Sequence, residues 1–261
     1  MKKRFGITGL AVLIGGSLLI LFELIDMINT YSDRTGGPFQ FWPLTFFLVS
    51  LAWCLLSGLF LFKRKPLLAS LVLLLNVLID NGTVFIIDLF DNALNFNSTA
   101  GFGSLILFFA LVFLVVALIL ERKKLEKPQF ACPLKTPYLI LILAAIIFTF
   151  IFNNARTGVF LIAMLILLTA FLEEKFIPVV IAIFLMPNFF NLIDGFIRVA
   201  NRGRLAASTW IMLTLGTIIF IFAIVSYFLP DGVNKGVSKI KEKVSKKEDE
   251  IVKTEIIDNE K

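Results

Sequence analysis

Six long apolar runs, near residues 5–28, 39–62, 66–90, 103–120, 176–197 and 207–229, limit what this chain can fold into more than any motif in it. Each is of the order of the roughly 20 helical residues that cross a hydrocarbon core of about 30 Å. Two shorter apolar runs lie at 137–152 and 159–172. A barrel strand would alternate lipid-facing and lumen-facing residues, whereas these runs are continuous. Backbone in lipid must also satisfy its own N–H and C=O groups, which favours helix. With 58% hydrophobic and 17% charged residues and a mean hydropathy of +0.92, a water-soluble domain would expose large apolar patches. The expected fold is an all-α integral membrane protein of about eight transmembrane helices.

Charged turns sort these helices into pairs. Lys63-Arg64-Lys65, Glu121-Arg122-Lys123-Lys124 and Glu173-Glu174-Lys175 mark off hairpins at 5–65, 66–127, 137–175 and 176–232. Together they form a transmembrane domain over 1–232, followed by a charged tail at 233–261. The first helix of three pairs ends in one phrase, Leu24-Ile25-Asp26, Leu78-Ile79-Asp80 and Leu192-Ile193-Asp194, which predicts four hairpin repeats. The third pair has Asn153-Asn154 in that place and is short enough either to span or to be re-entrant. All of the 25 lysines and arginines except Arg34, Arg156, Arg198, Arg202 and Arg204 fall at the N-terminus, in the inner turns or in the tail. By the positive-inside rule both termini are expected in the cytoplasm. Met1-Lys2-Lys3-Arg4 before an apolar run is similar to a secretory signal. Its apolar part is too long, however, and runs into Glu23 and Asp26 without a small-x-small cleavage site, so it is expected to be the first span.

The chemistry this chain can support is narrow. It has no histidine, which removes histidine bases, shuttles and metal ligands. Glu173-Glu174 is similar to the paired glutamates of membrane-embedded CAAX-type proteases, but that chemistry also needs histidines on neighbouring helices. Cys54 lies in the second span and Cys132 in a cytoplasmic loop, so neither a disulfide nor a metal site is expected. No phosphate-cradling glycine loop or serine nucleophile with a base is present. We expect a non-enzyme with no cofactor and no metal. The net charge of +6 follows from the basic inner turns and implies no nucleic acid. Tail residues Val237, Ile240, Val244 and Ile251 are spaced for a weak amphipathic helix. The lysine-rich part before Glu248 suits the anionic inner leaflet at about 1 kcal/mol per lysine near the surface. Residues 235–261 are therefore either a solvated tail or a helix that docks a membrane or cytoplasmic protein. The partners expected are membrane lipids and such a protein.

Asp26, Asp80 and Asp194 come late in outward-running helices, about 20–30 Å from the inner face at 1.5 Å per residue. Asp80 is the deepest, because Val84-Phe85-Ile86-Ile87 follows before the next carboxylate. A carboxylate at mid-membrane costs about 2.5–3.5 kcal/mol, so depth decides whether it signals function. Asn76 precedes Asp80 by one turn, and Asn191 lies three residues before Asp194, so each shares a helix face with its aspartate. These residues, with Glu23, are either interhelical hydrogen-bonding groups worth about 0.6 kcal/mol each or ligand and relay groups. Arg198, Arg202 and Arg204 break the positive-inside trend. They either pair with outer carboxylates or present bidentate forks to an anion or lipid head group.

At residues 1–65 a basic start, a glycine-bearing apolar helix (Ile7-Thr8-Gly9 to Gly15-Gly16), an acidic turn, Phe41-Trp42-Pro43-Leu44 and a second helix closing on Lys63-Arg64-Lys65 form a pattern. It resembles the transmembrane hairpin of LiaI/LiaF-type bacterial envelope-stress proteins. That resemblance covers about a quarter of the chain. It implies a multi-pass protein of the bacterial plasma membrane that senses or scaffolds without catalysis. The charged tail differs from the soluble β domain of LiaF-type members. The alternative is a transporter or permease subunit using Asp80 and Asp194 between repeated hairpins.

Overall fold

The computed structural model describes residues 6–32, 42–77, 99–121, 134–152, 155–171, 173–202 and 206–229. Among the described residues the regular structure is helical. The helices are α1 (Ile7–Ser32), α2 (Trp42–Phe62), α3 (Pro66–Val77), α4 (Thr99–Glu121), α5 (Thr136–Phe152), α6 (Ala155–Ala170), α7 (Ile177–Arg202) and α8 (Ala207–Phe228), with a 3-10 turn at Glu174–Phe176 leading into α7. Ile7–Ser32, Pro43–Phe62, Glu174–Ile197 and Ala207–Phe228 are long and apolar enough to cross a membrane. The all-α expectation holds, and the architecture is compatible with a multi-pass membrane protein.

Two boundaries differ from the hydropathy pattern. Helix α6 begins at Ala155, ahead of the apolar run at 159, because Gly158 lets the first turn of α6 close against α5. A Cβ there would lie 2.7 Å from Phe150 Cε2. Helix α7 runs on to Arg202, so Arg198 and Arg202 stand about one turn apart on the same helix.

Packing rests on small residues where helices approach closely. Helix α1 buries Thr8, Ala11, Val12, Gly15, Gly16 and Leu19, and its most extensive contact is with α4. A Cβ at Gly15 would sit 2.9 Å from Leu114 Cγ and 3.2 Å from the Ala110 carbonyl oxygen, the small-residue approach that drives helix association in lipid. Contacts between α2 and α7 join this part to a second one, in which α5 touches α6, α7 and α8. Trp53 on α2 meets Phe184 on α7 edge to face, with ring centroids 5.5 Å apart. The outward faces stay apolar: Ile211, Leu215, Ile218, Ile221 and Val225 are exposed along α8, and Leu139, Leu143, Ile147 and Phe150 along α5. In water such stripes would aggregate; against acyl chains they need no cover.

Cross-helix contacts fix the directions. The Cys54 thiol donates to the Gly16 carbonyl at 3.6 Å; with those positions level, a parallel pair would put the end of α1 about 40 Å from the start of α2, beyond the reach of residues 33–41, so the start of α1 lies beside the end of α2. Thr8 Oγ1 donates to Glu121 Oε1 at 2.8 Å, placing the end of α4 there too. Lys63 reaches Glu173 before α7, and Phe176 meets Tyr227 near the end of α8, centroids 6.4 Å apart. The start of α1 and the end of α8 therefore share one end of the bundle.

Two turns at that end are built alike. After α2 the Lys65 N–H donates to the Phe60 carbonyl and the Arg64 N–H to the Leu61 carbonyl, both at 2.9 Å. Arg64 has φ 60°, so the helix ends in a Schellman motif with arginine where glycine is usual. After α6 the Glu173 N–H donates to the Leu168 carbonyl at 2.8 Å, the same six-to-one closure.

Candidate functional site

The most developed polar arrangement among the described residues joins these two turns. Glu173 is buried, and its carboxylate lies between two ammonium groups: Lys63 Nζ is 2.6 Å from Oε2 and Lys65 Nζ 2.8 Å from Oε1. Lys65 also donates to the Phe171 carbonyl at 3.1 Å, while Lys63 stands 4.2 Å above the centre of the Phe176 ring. Phe176 in turn packs edge to face on Phe60, with centroids 5.1 Å apart. The left-handed turn at Arg64 is what makes this possible. It sends Lys63 and Lys65 toward the α6–α7 turn and leaves Arg64 exposed.

The electrostatics favour the charged carboxylate. Burial pushes the Glu173 carboxyl up, but hydrogen bonds from Lys63 and Lys65 and their charges outweigh it and hold the group below the usual carboxylate range. For Lys63, burial and the nearby Lys175 push the ammonium down more strongly than Glu173 pushes it up. The carboxylate, the most buried member, sets the pair's character, so the cluster behaves as one anion clamped by two cations. It holds the two turns at a fixed distance.

The remaining candidates are spread apart. Asp194 is buried on α7 and engaged in a polar interaction, while Asn191, three residues earlier, is exposed. The two therefore face different surroundings. Glu23 is half-buried and engaged, and Asp26 is exposed at the far part of α1. Asn76 is buried on α3, and its side-chain Oδ1 has no hydrogen-bond partner. Asp80 and Arg204 lie outside the described residues, as do the side chains of Arg198 and Arg202. Of the three Leu-Ile-Asp aspartates, then, Asp26 and Asp194 occupy unlike environments.

Three features escaped the sequence. The Lys63–Glu173 pair spans 110 residues, and nothing local links two charged turns so far apart. Thr8 and Glu121 pair across a similar gap. Asn188 was hidden in an apolar run. It is buried beside Pro187 inside α7, against Gly216 of α8. Its signal was the Pro187-Asn188 dipeptide, because a proline inside a helix removes one backbone donor and leaves a carbonyl to be satisfied by neighbours. Comparison with protein-family models, with curated proteins and with solved structures finds no match to this chain.

Proposed function

We propose that the protein is a non-catalytic, multi-pass component of a bacterial plasma membrane that senses or scaffolds at the envelope. In this reading eight helices span as four hairpins, both termini are cytoplasmic, and the tail at 235–261 meets the inner leaflet or a cytoplasmic partner. The observation that carries it is the clamp of Lys63 and Lys65 on Glu173. The clamp fixes the two turns at one end of the bundle against each other, with Arg64 and Lys175 exposed there. Fixed presentation of charge suits recruitment, since it lowers the ordering cost of association. The resemblance of residues 1–65 to LiaI/LiaF-type hairpins points the same way. Deleting 235–261 is expected to lose a co-purifying protein or change the response to cell-wall-active antibiotics while the membrane domain still inserts. An unchanged pull-down together with an unchanged response would sink this reading.

The burial of Asp194, only 7% exposed, supports a second one. Carboxylates withdrawn into a membrane-spanning bundle commonly mark solute or proton paths, and a buried, engaged Asp194 fits a transporter or permease subunit with Asp194 and Asp80 on its path. Here Asp194→Asn and Asp80→Asn each abolish flux of a solute without unfolding the protein. Flux at the wild-type rate in both variants would remove the transport reading.

A further inference from the structure

The seam between α1, α2 and α3 carries a polar site that the clamp does not use. Ser57 Oγ donates to the Ala69 carbonyl at 3.0 Å, which sets the register of α2 against α3. Seven residues on from each contact, and therefore on the same two facing surfaces, stand Ser50 and Asn76. Both are buried, at 2% and 3% exposure. That register puts them at about the same depth on α2 and α3, and Asn76 Oδ1 has no hydrogen-bond partner. An unsatisfied buried acceptor costs about 1–3 kcal/mol, and a place that holds one ordinarily holds something that donates to it or is positively charged.

Helix α1 closes the seam and supplies a charge. Gly16 packs on Leu73, where a Cβ would lie 3.4 Å from Leu73 Cδ1; α1 and α3 each run opposite to α2, so they lie side by side in the same direction. Seven residues after Gly16, on the same face of α1, is the half-buried Glu23. By this register it lies about one turn further along than Asn76. The seam thus offers an amide oxygen, a hydroxyl and a carboxylate, all hard oxygen donors with one negative charge and no thiolate or imidazole. That set suits a weakly bound hard cation.

We propose that this seam binds a small monovalent cation, Na+, K+ or ammonium, on Asn76 Oδ1 and Ser50 Oγ, with the Glu23 carboxylate balancing its charge. The site is independent of whether the protein scaffolds or transports.

The test uses the purified full chain in detergent. Its thermal unfolding is followed in sodium, potassium, ammonium or choline chloride at constant ionic strength, with choline as the bulky-cation control. A ligand that binds only the folded state raises Tm with concentration. At least one small cation is expected to raise Tm by several degrees, saturably, in the wild type and in Asp26→Asn, a change at an exposed position. Glu23→Gln and Asn76→Leu should abolish the rise. If Asn76→Leu does not fold, Ser50→Ala is read instead, with saturable binding of a sodium or rubidium tracer expected to weaken at least tenfold. Equal Tm in choline and in every small cation overturns the proposal and leaves a buried water as the donor to Asn76. So does a cation effect that survives in both Glu23→Gln and Ser50→Ala.

Discussion

Replacing Glu173 with alanine is expected to destabilise the protein by about 2 kcal/mol, the largest loss for any single charged residue described above. Removing one member of a fully buried ion pair costs roughly 3–5 kcal/mol because the partner charge is left uncompensated. The figure is smaller here because Lys63 and Lys65 keep 30% and 37% of their side-chain surface, and water screens what remains. The change leaves two ammonium groups facing each other with Lys175 nearby, so the turns should separate at this end first. Glu173→Gln keeps the shape and removes the charge, and it fixes the pH dependence. The Glu173 carboxyl is held below its usual range. Its contribution is therefore fully present above the unfolded-state value, about 4.3, and is lost as pH falls through the lower folded-state value. The stability difference between wild type and Glu173→Gln should be flat from neutral pH to about pH 5 and shrink only in more acidic solution. Reversible unfolding of both proteins in detergent across that range measures it. A difference that instead grew on acidification would show that the clamp is not ionic.

The second large effect is steric. Gly216 sits where α8 crosses α7 and α5, and a Cβ there would lie 2.8 Å from Asn188 Cβ and Cγ and 2.9 Å from Phe148 Cζ. Asn188 Cβ is fixed to its own backbone and cannot turn away, so the helices must part. Gly216→Val is expected to cost about 3 kcal/mol, at the upper end for overpacking of a core. Gly58, on α2, has nothing within 4 Å of its Cβ position. Gly58→Ala should therefore be neutral or stabilising by up to about 1 kcal/mol, the helix-propensity gain over glycine. Paired unfolding curves of the two variants test the packing directly. Equal stability would mean that α8 does not cross α7 at Gly216.

The helices were legible because their apolar runs are continuous and long enough for a helix to span a bilayer. Continuous apolar runs near 5–28, 39–62, 176–197 and 207–229 correspond to α1, α2, α7 and α8 within a few residues at most ends. The ends were less legible where a close contact, not hydropathy, begins the helix. Gly158 against Phe150 starts α6 inside a polar stretch. The candidate residues divide similarly. Burial of Asp194 and Asn76 follows from their place in apolar helices, but the exposure of Asn191 depends on which face of α7 meets α8. A period-3.6 pattern tells one face from another only when the other face is polar; here lipid-facing and core-facing residues are both apolar. The partners of Glu173 were illegible for another reason. They depend on which hairpins lie side by side, and charge at a turn reports topology without naming a neighbour.

The two turns that meet at the clamp have a bearing on assembly. Lys65 and Glu173 occupy the same position in equivalent structures, each closing its helix by a six-to-one hydrogen bond, and they contact each other across the bundle. Had both turns carried lysine, or both glutamate, like would face like at that junction. With opposite charges, the turn after α2 is complementary to the turn after α6 and repelled by a second copy of itself. The ion pair therefore works as a sorting rule. Within one chain that complementarity favours the pairing of these two turns, and two copies of the same turn would repel at the same position.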